Sequence, residues 1–214
     1  MQTKTFAAAM LAALALGACA SAQKRYEQGV ELEQAGRPAD AARRYIDALK
    51  KEPGLAEARA RLQDAGDRAV DDFLAQSSAY AAAGQDAEAA DAFLRLDDLR
   101  RDANEVGVRL NVPGDYAARR RTAFDGAIRR SLDDADASAR QGDWSSAISR
   151  LERAAGRWEP SPNQRETLDG LRFDLTLGWA DREMASGRYR SAYDVAQRAV
   201  LVFGRESGRA SRAL

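Results

Sequence analysis

Four times along this chain an alanine stands five places after a glycine: Gly36/Ala41, Gly84/Ala89, Gly142/Ala147 and Gly187/Ala192. Nine places after each glycine come Tyr45, Phe93, Leu151 and Ala196, and twelve places after come Ala48, Leu96, Ala154 and Ala199. Offsets of five, nine and twelve are i, i+4 and i+7 on a helix, so each copy lays a small residue and two further apolar ones along a single stripe. Residues upstream recur as well. Ten places before the glycines stand Tyr26, Leu74, Leu132 and Leu177, and seven before stand the small residues Gly29, Ser77, Ala135 and Ala180. The repeating unit is therefore a pair of helices, with the glycine ending the first in the left-handed conformation that a Cβ disfavours.

In the first unit Gly29, Leu32, Gly36, Ala41, Tyr45, Ala48 and Pro53 stand at the spacings of the tetratricopeptide repeat family, which the chain resembles over roughly residues 22 to 204. The later units keep the second-helix marks and lose most of those of the first helix. Their glycines are 48, 58 and 45 residues apart where the family has about 34. The resemblance implies an all-α, helical-hairpin solenoid of about four units with elongated first helices, occupying residues 24–204 and followed by a flexible tail, 205–214.

Read in order, the helical pairs are 24–35 with 38–51, 55–83 with 86–102, 116–140 with 144–158, and 163–185 with 189–203. The second of these first helices runs unbroken across Gly66, because Ala58, Leu62, Ala65, Ala69, Phe73, Ser77 and Tyr80 keep steps of three and four. Between 103 and 114 the period changes to two, with Val106, Val108, Leu110 and Val112 alternating with other residues until Pro113-Gly114 stops them. This segment reads as a loop laying its apolar residues into a crevice between helices, or as an edge for a partner's strand. Asp115 is placed to cap the next helix, and Glu159-Pro160-Ser161-Pro162 to separate two others.

Residues 1–18 read as an address. Lys4 precedes an uncharged run from Phe6 to Ala18, too short for a bilayer that needs about 20 residues yet suited to a signal-peptide core. Leu16-Gly17-Ala18-Cys19 resembles the lipobox of bacterial lipoproteins. That resemblance implies cleavage before Cys19, a diacylglycerol on its sulfur and an acyl chain such as palmitate on its amino group, with residues 19–23 as the tether. The absence of aspartate at Ala20 further implies an outer-membrane lipoprotein facing the periplasm. An ordinary secretory signal with an incidental cysteine is the alternative. Cys19 is the chain's single cysteine, so no intrachain disulfide forms.

Thirty-three basic and thirty-three acidic side chains balance, which gives nucleic acid no broad electrostatic attraction. Histidine is absent, and with it the usual general base and metal ligand. No catalytic residue, metal site or cofactor is expected. Asp71-Asp72, Asp97-Asp98 and Asp133-Asp134 are adjacent on helices and point about 100° apart, so they read as solvated faces. Arg119-Arg120-Arg121, Arg129-Arg130 and Arg100-Arg101 lie near enough to acidic residues to read as an ordinary charged face too. Trp144, Trp158 and Trp179 are assigned to packing.

In the resembled family first helices line a concave face. By repeat position that face would carry Tyr26, Val30, Glu33, Leu74, Ser78, Arg129, Leu132, Asp136, Arg140, Leu177, Asp181 and Met184, either as a groove for a peptide or helix or as the polar flank of helix packing. The expected function is a membrane-tethered scaffold for an envelope protein partner, as in outer-membrane protein insertion, pilus or secretin assembly, or peptidoglycan synthesis. One alternative is a binding protein for a cell-wall fragment or other small ligand. Another is a carboxylate-dependent hydrolase of envelope polymers.

Overall fold

The computed structural model describes residues 21–203. The signal-peptide, Cys19 and C-terminal tail expectations lie outside them. The described residues form α1 (21–34), α2 (Pro38–Lys51), α3 (Ala56–Ala82), α4 (Asp86–Glu105), α5 (Tyr116–Arg140), α6 (Trp144–Arg157), α7 (Pro162–Ala185) and α8 (Tyr189–Phe203), with no strand. The fold is all-α. Residues 21–23, expected in the tether, are helical, and Ala22 is buried.

Each of the four glycines adopts positive φ: +69° at Gly36, +71° at Gly84, +83° at Gly142 and +76° at Gly187. The residue after each glycine donates its N–H to the carbonyl five places back, at 2.9 Å for Arg37 to Leu32, 2.9 Å for Gln85 to Tyr80, 3.0 Å for Asp143 to Ser138 and 2.9 Å for Arg188 to Glu183. These bonds satisfy carbonyls that a helix end would otherwise leave open, and the left-handed residue turns the chain into the second helix. Local chemistry thus repeats the hairpin four times.

The stripe is buried. Ala41, Ala89, Ala147 and Ala192, then Tyr45, Phe93 and Leu151, then Ala48, Leu96, Ala154 and Ala199 all belong to the core; Ala196 is half-buried. Opposite them Gly29, Ser77, Ala135 and Ala180 are buried too. The repeat positions set Gly29 with Tyr45, Ser77 with Phe93, Ala135 with Leu151 and Ala180 with Ala196, so the smallest residue goes with the largest ring. In the first hairpin a Cβ added at Gly29 would lie 2.4 Å from Tyr45 Cε1, so the ring occupies the space that glycine leaves. A close-packed interior does not admit both an added methyl and that ring.

The chain divides into two compact units, the first ending at Arg119 and the second beginning at Arg120, within α5. In the first unit α3 packs against both α2 and α4. This is why α3 buries residues on two sides, among them Leu62, Ala65, Ala69, Val70 and Phe73. A Lys50–Glu105 ion pair of 2.9 Å joins α2 to the end of α4. Residues 106–115 form a loop. Its period of two is nevertheless real, since Val108 and Leu110 are buried while Gly107, Arg109 and Asn111 are exposed. Leu110 lies against Gly66, where an added Cβ would meet its Cδ2 at 2.4 Å. Asp67 accepts from the Asn111 backbone N–H at 2.8 Å and from Asn111 Nδ2 at 2.7 Å, and Arg59 Nη1 donates to the Val106 carbonyl at 3.0 Å. With the apolar side chains docked on a helix and the backbone held by side chains of α3, the loop reading holds here.

In the second unit α7 packs against α6 and α8. Its start is fixed by a capping box, in which the Ser161 hydroxyl accepts from Gln164 N–H and Gln164 Oε1 accepts from Ser161 N–H. Pro162 occupies the first turn, where its missing N–H costs nothing, so the helix begins one residue before the expected position. Trp158 is buried, and Trp144 and Trp179 are half-buried. The Trp144 ring lies over Gly178, 3.1 Å from where a Cβ would stand.

Candidate functional site

The residues assigned to a concave face fall into several environments. In the first unit Tyr26 and Glu33 are drawn together by α3. Arg61 Nε donates to the Tyr26 hydroxyl at 3.2 Å and its Nη1 to Glu33 Oε2 at 3.1 Å, while Arg68 Nη2 pairs with Glu33 Oε1 and Tyr45 donates its hydroxyl to Glu33 Oε2 at 2.7 Å. Burial pushes the Glu33 carboxyl up, but the hydrogen bonds from Tyr45, Arg68 and Arg61 outweigh it and hold the group below its ordinary value. Burial and the Glu33 carboxylate both raise the Tyr45 phenol. Glu33 is a saturated brace between α1, α2 and α3, and Val30 beside it is half-buried.

Leu74 is 8% exposed and serves packing, because α3 is covered on two sides and this position turns inward. Ser78 is exposed, and its hydroxyl donates back to the Leu74 carbonyl at 3.0 Å. On α5 Leu132 is half-buried, Arg129 and Arg140 are exposed, and Arg140 pairs with Asp136 one turn away. On α7 Leu177 is half-buried, Asp181 exposed and Met184 55% exposed. Near Met184 the ring-bearing Tyr189 and Tyr193 are 67% and 66% exposed. The Arg188 guanidinium grips Glu183 at 2.7 Å across this turn and, with help from the Ser191 and Trp179 side chains, brings that carboxyl down to about 2.

The arginine-rich stretch is largely neutralised, as its neighbours imply. Arg119 pairs with Asp115 at 2.7 Å, Arg120 with Glu159 at 2.8 Å, Arg130 with Asp134 at 3.3 Å and Arg101 with Asp98 at 2.8 Å. Asp115 thus uses its carboxylate on Arg119. Among the described residues no three His, Cys, Asp or Glu side chains gather in a way that could hold a metal ion, and no helix is long and apolar enough to cross a membrane.

Sequence reasoning missed a cavity in the second unit. It has a volume of about 250 Å³ between α6, α7 and α8 and is lined by Ile148, Glu152, Arg172, Trp179, Val195 and Arg198, among others. Arg172 in this lining is 16% exposed, with Glu152 and Asp169 each 3.0 Å away. A signal was present: Arg172 stands fifteen residues before Gly187, where the corresponding residue before Gly84 is Ala69. A long cation at a position that is alanine in the sister unit marks a changed environment. No protein-family model matches this chain, and no curated protein matches it.

Proposed function

We propose that this chain is a lipid-anchored helical-repeat scaffold, a divergent tetratricopeptide-like solenoid that holds an envelope protein partner on the periplasmic face of the outer membrane. The observation that carries the repeat reading is the fourfold recurrence of one hairpin, with the same left-handed glycine, the same closing hydrogen bond and a buried alanine five residues on. Hairpins that each bury a seam and present polar outer faces are the element from which such scaffolds are assembled. The anchor reading is supported by the sequence Leu16-Gly17-Ala18-Cys19. Two or more acyl chains, at about 0.8 kcal/mol per buried methylene, give stable attachment where one would be marginal.

The test is mild cross-linking in intact cells, purification from membranes and mass spectrometry, with a Cys19→Ser form alongside. The scaffold reading expects an envelope protein enriched over a control lipoprotein, and the Cys19→Ser form in the soluble fraction. A lone monomer with no enriched partner would remove the scaffold, and a Cys19→Ser form still in the membrane pellet would remove the anchor. A second reading, binding of a small ligand, is favoured by the cavity between α6, α7 and α8.

A further inference from the structure

We infer that the α6–α7–α8 cavity is a binding site for a monocarboxylate on a short aliphatic body, the chemistry of a C-terminal amino-acid residue. The corresponding place in the first unit shows how it arises. There Ala42 and Ile46 of α2, Ala69 and Phe73 of α3, and Ala92 and Leu96 of α4 are all buried, and the Arg95 guanidinium lies 5.7 Å above the Phe73 ring. At the same offsets from their glycines the second unit has Ile148 and Glu152, Arg172 and Thr176, and Val195 and Ala199, with Arg198 in place of Arg95. Replacing the phenylalanine ring by threonine removes the filling of the crevice and the platform under the arginine together. What remains is the cavity of about 250 Å³, with Arg198 on its wall.

The lining is mixed. Trp179, Ile148 and Val195 give it apolar surface, and Arg198, Ser145 and Ser149 give it a guanidinium and two hydroxyls. Arg172 is already engaged by Glu152 and Asp169, whereas Arg198 pairs with no carboxylate among the described residues. An arginine fork in one lining with hydroxyl donors suits a carboxylate, which the fork binds bidentately. The Glu152 carboxylate disfavours a second negative charge and offers an acceptor to an N–H beside the bound group. The volume lies under the roughly 300–1,000 Å³ of ordinary small-molecule sites, which limits the occupant to one residue's worth of atoms. The cavity owes nothing to the membrane anchor or to the scaffold role, so its test stands or falls separately.

Acetyl-Ala-Ala-Val as the free acid, its C-terminal amide and free valine are titrated into the full chain, followed by tryptophan fluorescence with Trp179→Phe identifying the reporter. The free acid saturates the signal and binds about tenfold or more tighter than the amide; Arg198→Gln weakens it by a similar factor. Val195→Phe, which refills the crevice, abolishes binding and leaves the thermal unfolding midpoint at or above that of the parent. Tighter binding of the tripeptide than of valine assigns the carboxylate to a peptide terminus, and the reverse to a free amino acid; both are carboxylates of the inferred kind. Equal binding of acid and amide, an unaltered affinity in Arg198→Gln, or no saturation by the acid up to about 10 mM overturns the inference.

Discussion

Placing alanine at Gly29 tests whether the first hairpin is set by the fit between a missing side chain and the Tyr45 ring. The added Cβ would stand 2.4, 2.7 and 2.9 Å from three ring carbons, and Tyr45 is fully buried with its hydroxyl bonded to Glu33 at 2.7 Å. Helix propensity alone favours alanine by about 1 kcal/mol. Against this, overpacking costs about 1–3 kcal/mol, and moving the phenol off the carboxylate costs about 1.5–3 kcal/mol more. The net is a loss of about 1.5–5 kcal/mol, so the clash outweighs the propensity. The third hairpin supplies the rescue, since it carries Ala135 and Leu151 at these positions. In Gly29→Ala/Tyr45→Leu the overpacking disappears and the Glu33 bond is lost once, so the double variant is more stable than the sum of the single losses by about 2.5–6 kcal/mol. Urea titration by far-UV circular dichroism measures all four proteins. The fluorescence of Trp144, Trp158 and Trp179, all beyond Arg120, follows the other unit as an internal reference. Additivity within about 0.5 kcal/mol would refute the steric reasoning.

Gly142→Ala meets no atom within 4 Å but has to hold φ at +83°, so it loses about 1–2 kcal/mol by chemical denaturation, and Gly142→Asn loses less; equal stability of all three proteins would contradict this. Asp67→Ala releases both bonds to Asn111, and residues 106–115 become the first site of limited proteolysis while global stability falls by only about 1–2 kcal/mol; unchanged cleavage would show that Leu110 alone holds the loop. Glu183 has its folded-state carboxyl brought down to about 2, so the stability it contributes is complete above its ordinary value of 4.5 and is lost as pH falls from there towards 2. The stability difference between the parent and Glu183→Gln therefore shrinks through that window, and a difference that stays constant from pH 7 to about 3 would sink the assignment.

Much was legible in the chain itself, for a local reason. The left-handed glycines, the helices they end and the buried stripe at five, nine and twelve residues follow from backbone sterics and a period of 3.6, which short stretches of sequence express directly. The course of α3 through Gly66 and the alternating burial of 106–112 were readable on the same grounds. The candidate surface was less so. Side chains assigned to one face by repeat position met different fates, because exposure depends on what a neighbouring helix places opposite. Leu74 turns inward under a doubly covered α3, and Glu33 is consumed by Arg61 and Arg68, residues 28 and 35 positions away.

Sequence by itself therefore determined the hairpin and its fourfold recurrence, since each is written within a few helical turns. Only tertiary structure decided that Gly29 is paid for by the Tyr45 ring, that Arg59 and Asp67 strap down the loop after α4, and that Thr176 in place of a phenylalanine leaves a cavity beside Arg198. Such features arise where three helices meet, and the volume left there is a difference between side chains that no single helix carries.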